Sequence, residues 1–262
     1  MGKEELLLFK SSLAKNKPES IVNRDSTCPF CETESLTNIL DREGSIIWLE
    51  NKYPTLVDTY QTIIIETDQC ESELSKYEES HLRKLLRFAL RKWLDMQKSG
   101  DYASVILYKN HGPLSGGTIR HPHMQIVGLK KFDYKNKIKM KHFSGDIIDQ
   151  VGKMSLTISD FPLVGFTELN IKMDEHYGIN DIDQMAKYMQ HCTHFLLNHI
   201  GCTSYNLFFY QLDEHIYIKI MPRFVTSPVF VGYAIPQLSD YKEEIVKNMK
   251  KLYFAERTYR GR

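Results

Sequence analysis

Between residues 74 and 98 the apolar side chains recur at three- and four-residue spacing. Leu82, Leu85, Leu86, Ala89 and Trp93 share one face, charged residues fill the gaps, and Gly100 follows. That period predicts an amphipathic helix with a glycine at its C-terminal stop. Upstream, SIIWLENKYPTLVDTYQTIIIETD reads as two β-rich segments, dense in Ile, Trp, Tyr and Thr, joined at the turn-prone NKYP. Downstream come a strand, ASVILYKN, a glycine-rich turn, HGPLSGG, and a second strand carrying HPHMQ.

The second half replays this order. FPLVGFTELNIKM is β-rich, and NDIDQMAKYMQHCTHFLLNHIG predicts an amphipathic helix with an Asn or Asp cap and a closing glycine. CTSYNLFFYQ and HIYIKIMPRF read as two strands, followed by a last helix over about 239–256. Strand, helix, strand, strand thus occurs twice, which predicts an α+β fold of two mostly antiparallel repeats. The expected division is a polar, loosely held lead-in over 1–22, a first repeat over 23–150 and a degenerate second repeat over 151–262.

In GGTIRHPHMQIVG an extended backbone places His121, His123 and Gln125 on one face and Pro122, Met124 and Ile126 on the other. A half-buried strand with a wet side explains the alternation; a row of chemically able groups explains it as well. In the second copy the same register holds His215, Tyr217 and Lys219, so one active and one supporting half are expected.

Composition narrows the classes. A chain of 262 residues with 42% hydrophobic and 26% charged content has material for a sizeable core. A net charge of +1 argues against a general nucleic-acid or membrane-surface binder. No apolar run reaches the length of a membrane span, and Glu4 and Glu5 before a short apolar run do not suit a signal peptide. Five cysteines, one CxxC pair and no export signal fit a reducing compartment, so the cytoplasm is expected. The pair, Cys28 and Cys31, reads either as a metal clamp or as a redox couple, although no strand precedes it as in a thioredoxin-like unit. For a metal site, His121 and Cys70 are the candidate further ligands. Cys192 and Cys202 read as small buried hydrophobes, and Met185 and Met189 as helix core. KKFDYKNKIKMK reads as a solvated rim.

CPFC, a glycine-rich turn and HPHMQ together resemble the galactose-1-phosphate uridylyltransferase branch of the histidine-triad superfamily, over roughly residues 23–130. The resemblance implies one structural zinc held by Cys28, Cys31, Cys70 and His121, with Cys70 standing where the family has a histidine. It implies His123 as the nucleophile and Gln125 as its assistant. Asn110, Thr118, Gly116 and Gly117 would line the phosphate pocket, and Asn51 and Tyr53 would lie near the nucleotide. It implies a nucleotide or nucleotide-sugar substrate, a phosphate or sugar-phosphate acceptor and a possible homodimer. Departures are Met124 for the usual Gly, a shortened Arg-rich N-terminal segment that leaves Arg24 as a contact, and HIYIK in the second repeat. Two functions therefore stand side by side: a nucleotidyltransferase or phosphorylase working through a covalent histidine, and a zinc-stabilised nucleotide-binding protein that has lost catalysis.

Overall fold

IIWLE, TYQTIII and HMQIVGL form strands buried at most of their positions. The computed structural model describes residues 6–255; Glu4, Glu5 and residue 256, which ends the expected last helix, lie outside them. The chain divides into two compact units between Lys137 and Ile138. The 150/151 division read from the sequence would split the strand Gly145–Val151 from its unit.

In the first unit, a short α1 (Ser11–Ala14) precedes β1 (Ile39–Glu43), β2 (Ile46–Glu50) and β3 (Thr59–Ile65). Helix α2 (Glu79–Lys98) follows, then β4 (Ser104–His111) and β5 (His123–Leu129). The strands pair in the order β1-β2-β3-β5-β4, all antiparallel. Helix α2 buries Leu82, Leu85, Leu86, Ala89 and Trp93, the face read from its period, and packs on β4 and β5. The Trp93 indole donates to the Val105 carbonyl at 2.9 Å, so the one polar atom of that ring is satisfied inside the core.

The second unit runs β6 (Gly145–Val151), β7 (Met154–Ser159), β8 (Leu169–Asp174), α3 (Ile179–Asn198), β9 (Tyr205–Leu212) and β10 (His215–Pro222). Its sheet order, β6-β7-β8-β10-β9, repeats that of the first unit. Two helices close it, α4 (Pro228–Tyr233) and α5 (Lys242–Met249), the latter continuing as one wider turn over Lys250–Phe254.

Four local readings change. The structure adds the hairpin strands β1, β6 and β7 and the helix α4. Helix α3 is capped by Gly178, whose N–H donates to Asp181 Oδ2 at 2.8 Å, rather than by an Asn or Asp. Strand β5 starts at His123, because Pro122 has no N–H to donate to the ladder. The lead-in is not loose near residue 20: Ser20 is fully buried, and its N–H donates to the Thr118 carbonyl at 2.8 Å. No helix among the described residues is long and apolar enough to cross a membrane.

Candidate functional site

Four side chains from three places in the first unit converge. Cys28 and Cys31 sit on a turn closed by the Cys31 N–H on the Cys28 carbonyl at 3.1 Å. Cys70 follows β3, and His121 precedes β5. Their ligand atoms, three sulfurs and one ring nitrogen, all lie within 4.8 Å of one another. Cys31 Sγ is 3.5 Å from His121 Nδ1. A zinc tetrahedron with Zn–S and Zn–N bonds of about 2.0–2.3 Å has edges of roughly 3.4–3.8 Å, so the set needs little contraction to close on an ion.

The tautomer of His121 fits that role. Its Nε2–H donates to the Thr67 carbonyl at 2.7 Å, which turns Nδ1 towards the sulfurs as a lone-pair donor. Arg120 brings its Nε to 3.5 Å from Cys70 Sγ and pairs with Glu71 at 3.1 Å. Three thiolates on a divalent ion leave a net negative charge, and this guanidinium stands where it offsets that charge. Two of the thiols do not ionise readily by themselves. Cys31 is exposed as a residue, yet burial of its sulfur, ahead of its contacts with Cys70 and Cys28, pushes its pKa up to about 12. Cys28 is raised for the same first reason. Such a set loses its protons when a cation arrives. The donor set, its spacing and its supporting shell fit a structural metal with four protein ligands.

His123 stands two residues on, on the same face of the strand. Its Nδ1–H donates to the His121 carbonyl at 2.8 Å, so Nε2 carries the unprotonated lone pair. Burial, ahead of the nearby Lys109 charge, lowers its pKa to about 4, and the ring is neutral at physiological pH. The ring is only 6% exposed and meets Phe30 edge-on at 5.4 Å between centroids. Met124 and Ile126 point to the other face and are fully buried. Gln125 is half-buried, and the Tyr108 hydroxyl, its cross-strand partner on β4, donates to Gln125 Oε1 at 3.0 Å.

Phe30 also forms a wall of a cavity of about 210 Å³, shared with Leu36, Leu49, Asn51, Tyr53 and Ile119. His123 is not part of that lining, so Phe30 is the link between ring and cavity. Asn51 Oδ1 accepts the Tyr53 N–H at 2.9 Å, a local turn that sets the Tyr53 backbone and leaves the Asn51 amide donor for other partners. The glycine-rich turn sits close to Asn110: a Cβ added to Gly117 would lie 3.2 Å from that of Asn110 and 3.4 Å from Ile21 Cδ1. Gly116 has φ +84°, a conformation that favours glycine. The structure thus brings Asn110 and Gly117 together, with Thr118 one residue on.

Sequence reasoning missed Tyr108, Arg120, Phe30 and Thr67. Strand alternation from Gln125 and Asn110 points only to a face, and the backbone role of Thr67 leaves no sequence trace. Arg24, the cation expected near the nucleotide, is exposed, and its carbonyl accepts from Arg120.

In the second unit the register position of Gln125 is taken by Lys219, which is fully buried and paired with Glu168 at 2.9 Å. Its ammonium also donates to Ser159 Oγ at 3.0 Å and to the His142 carbonyl at 2.7 Å, and lies 5.2 Å from the Phe143 ring centroid. A satisfied ion pair therefore holds the register position that Gln125 has in the first unit.

Comparisons with known proteins agree with this architecture. Residues 9–132 match the domain of unknown function (DUF4931) N-terminal domain, and residues 135–254 its C-terminal domain. No curated protein matches the chain. The crystal structure of a DUF4931 family protein from Bacillus cereus ATCC 10987 is 48% identical with a TM-score of 0.75, covering 82% of this chain and 99% of that one. An ADP-glucose phosphorylase from Arabidopsis thaliana, crystallised with ADP-glucose, is 16% identical with a TM-score of 0.72, covering 91% and 93%. A uridylyltransferase is 16% identical with a TM-score of 0.69, covering 87% and 91%. The α+β fold is shared with these uridylyltransferase and phosphorylase structures and with a galt-like protein from Arabidopsis thaliana.

Proposed function

Because the chain belongs to the DUF4931 family and carries this fold, we propose that it is a nucleotidyltransferase or phosphorylase. It moves a nucleoside monophosphate from a nucleotide sugar or dinucleoside polyphosphate to a phosphate-bearing acceptor, through a covalent bond to His123. The observation that carries this reading is the tautomer of His123: Nδ1–H is committed to the His121 carbonyl, leaving Nε2 as a neutral nucleophile.

The steps balance without a proton leaving the ring. Nε2 forms an N–P bond to the α-phosphorus, the P–O bond to the next phosphate breaks, and the leaving oxygen keeps the electron pair. The imidazolium so formed holds its remaining proton on Nδ1, against a carbonyl that favours it. An acceptor phosphate oxygen then attacks, and the N–P pair returns to Nε2. Gln125, whose Oε1 already accepts from Tyr108, has its NH₂ to offer a phosphoryl oxygen. A glutamine holds that oxygen but activates water poorly, which supports transfer over hydrolysis. The metal site Cys28, Cys31, Cys70 and His121 suits zinc; when bound, the ion pins the strand that aims His123.

The test is incubation with a panel of labelled nucleotide sugars and dinucleoside polyphosphates. Acid-labile, base-stable label on wild-type protein, absent from His123→Ala, is expected. The low exposure of His123 favours a second reading, a nucleotide-binding protein without catalysis. Nucleotide binding with no label from any donor would decide for it. Acceptor identity, the cytoplasm as location and a homodimer belong to this proposal as well.

A further inference from the structure

Lys17 is a half-buried cation with no matching carboxylate among the described residues. Among the described residues it makes no ion pair, and its Nζ has one side-chain contact, Thr55 Oγ1 at 3.5 Å. Half-buried lysines ordinarily lay their stems on apolar surface and keep the ammonium in water or against an acid. The neighbouring acid, Glu19, is committed elsewhere: its carboxylate accepts the N–H groups of Val22 and Asn23 at 2.7 and 2.8 Å. Burial lowers the Lys17 pKa, as it does where water leaves and no anion replaces it.

The segment that carries Lys17 is tied to the residues leading into the catalytic strand. The N–H groups of Ser20 and Ile21 donate to the Thr118 carbonyl at 2.8 and 3.3 Å, and Ser20 Oγ accepts the Arg120 N–H at 3.1 Å. Pro18, next to Lys17, lines the same cavity as Phe30, whose ring touches that of His123. Thr55, the contact of Lys17, lies two residues beyond Tyr53 on that cavity's wall. Lys17 thus stands next in the chain to the cavity wall, and its charge is among those that act on the His123 ring.

Resting on the nucleotidyl-transfer reading, we propose that Lys17 binds the second phosphoryl group of the donor, the one that departs when His123 attacks the first. As the P–O bond breaks, negative charge grows on that group, and a cation already in place stabilises it without reorganisation. A lysine suits the task as a compact charge with three donors.

Calorimetric binding of the pairs AMP/ADP and UMP/UDP to the full chain tests this, using wild type, Lys17→Met and Lys17→Arg, with metal content and Tm measured alongside. Lys17→Met should keep the monophosphate affinity, metal and Tm of wild type, and lose about tenfold in diphosphate affinity. Lys17→Arg should recover most of it. Should the Met variant not fold, Lys17→Gln carries the same comparison. An equal change for both members of a pair, or no change for either, overturns the assignment while leaving the nucleotide reading intact. A wild-type protein that binds none of the four overturns that reading and this inference with it.

Discussion

The Tyr108 hydroxyl donates to Gln125 Oε1 at 3.0 Å, across the pairing of β4 with β5. An amide can present either its oxygen or its nitrogen to a ligand, and this bond selects the nitrogen. Burial raises the Tyr108 pKa to about 12, so the phenol remains a donor through the working range. Tyr108→Phe removes the bond and keeps the ring. In steady-state assays it should lower kcat by roughly threefold to tenfold, the worth of one hydrogen bond of about 1 kcal/mol, with KM little changed. If kcat stays at the wild-type value, Gln125 is oriented by something else.

The same pair shows what a sequence can carry. Alternation in HPHMQ placed His123 and Gln125 on one face, and the 3.6-residue period of α2 placed its buried face correctly. Tyr108 lay beyond reach, since which residue of β4 faces Gln125 depends on hairpin register across an eleven-residue connection. The strands β1 and β6 escaped for a different reason. Both lie at the ends of their sheet orders and carry exposed polar residues, such as Arg42, Asp146 and Gln150, so no apolar alternation marks them. Their only clear signs are Gly44 and Gly152, at φ +66° and +56° in the two hairpin turns. Lys17 gives no sequence sign either, because a lysine in a polar stretch looks like solvent-facing chain until its burial, with no acid partner among the described residues, is seen.

The metal cluster is tested at Cys70, the position where the resemblance implies a histidine elsewhere. Elemental analysis should find about one zinc per wild-type chain. Cys70→Ala should lose most of it and lower Tm, whereas Cys70→His should keep both, because imidazole replaces thiolate as a zinc ligand. Unchanged zinc in Cys70→Ala would remove that residue from the site. Arg120→Ala should weaken zinc retention against a chelator to a lesser degree, since it takes away the charge beside Cys70 Sγ but no ligand.

Gln125 tests the choice between transfer and hydrolysis. Gln125→His restores a group that handles protons next to the phosphoryl-histidine. With the covalent intermediate formed, that variant should release more free nucleoside monophosphate and pass less of it to an acceptor phosphate. The measurement is the ratio of hydrolysed to transferred label at fixed acceptor concentration. A ratio equal to wild type would show that water is excluded by the cavity and not by the chemistry of the side chain.

A fully buried ion pair of the first unit joins the ends of the two strands that flank the one carrying His123. Lys109 Nζ sits 2.6 Å from Glu66 Oε1, both side chains fully buried, and the Tyr77 hydroxyl donates to Glu66 Oε2 at 2.8 Å. Glu66 also binds the strand directly, its N–H donating to the Pro122 carbonyl at 3.1 Å. Removing one charge from such a pair strands the other in a medium that solvates it poorly, at a cost of about 3–5 kcal/mol, while replacing both with apolar groups is often close to neutral. Lys109→Met should therefore unfold at markedly lower denaturant, and Lys109→Met with Glu66→Leu should regain more than half of the loss. The double variant also removes the positive charge that contributes to the low His123 pKa. Burial is the larger cause, so its covalent labelling at pH 7 should persist. Loss of labelling in a stable double variant would mean that the ion pair positions the strand, through Pro122, as well as stabilising it.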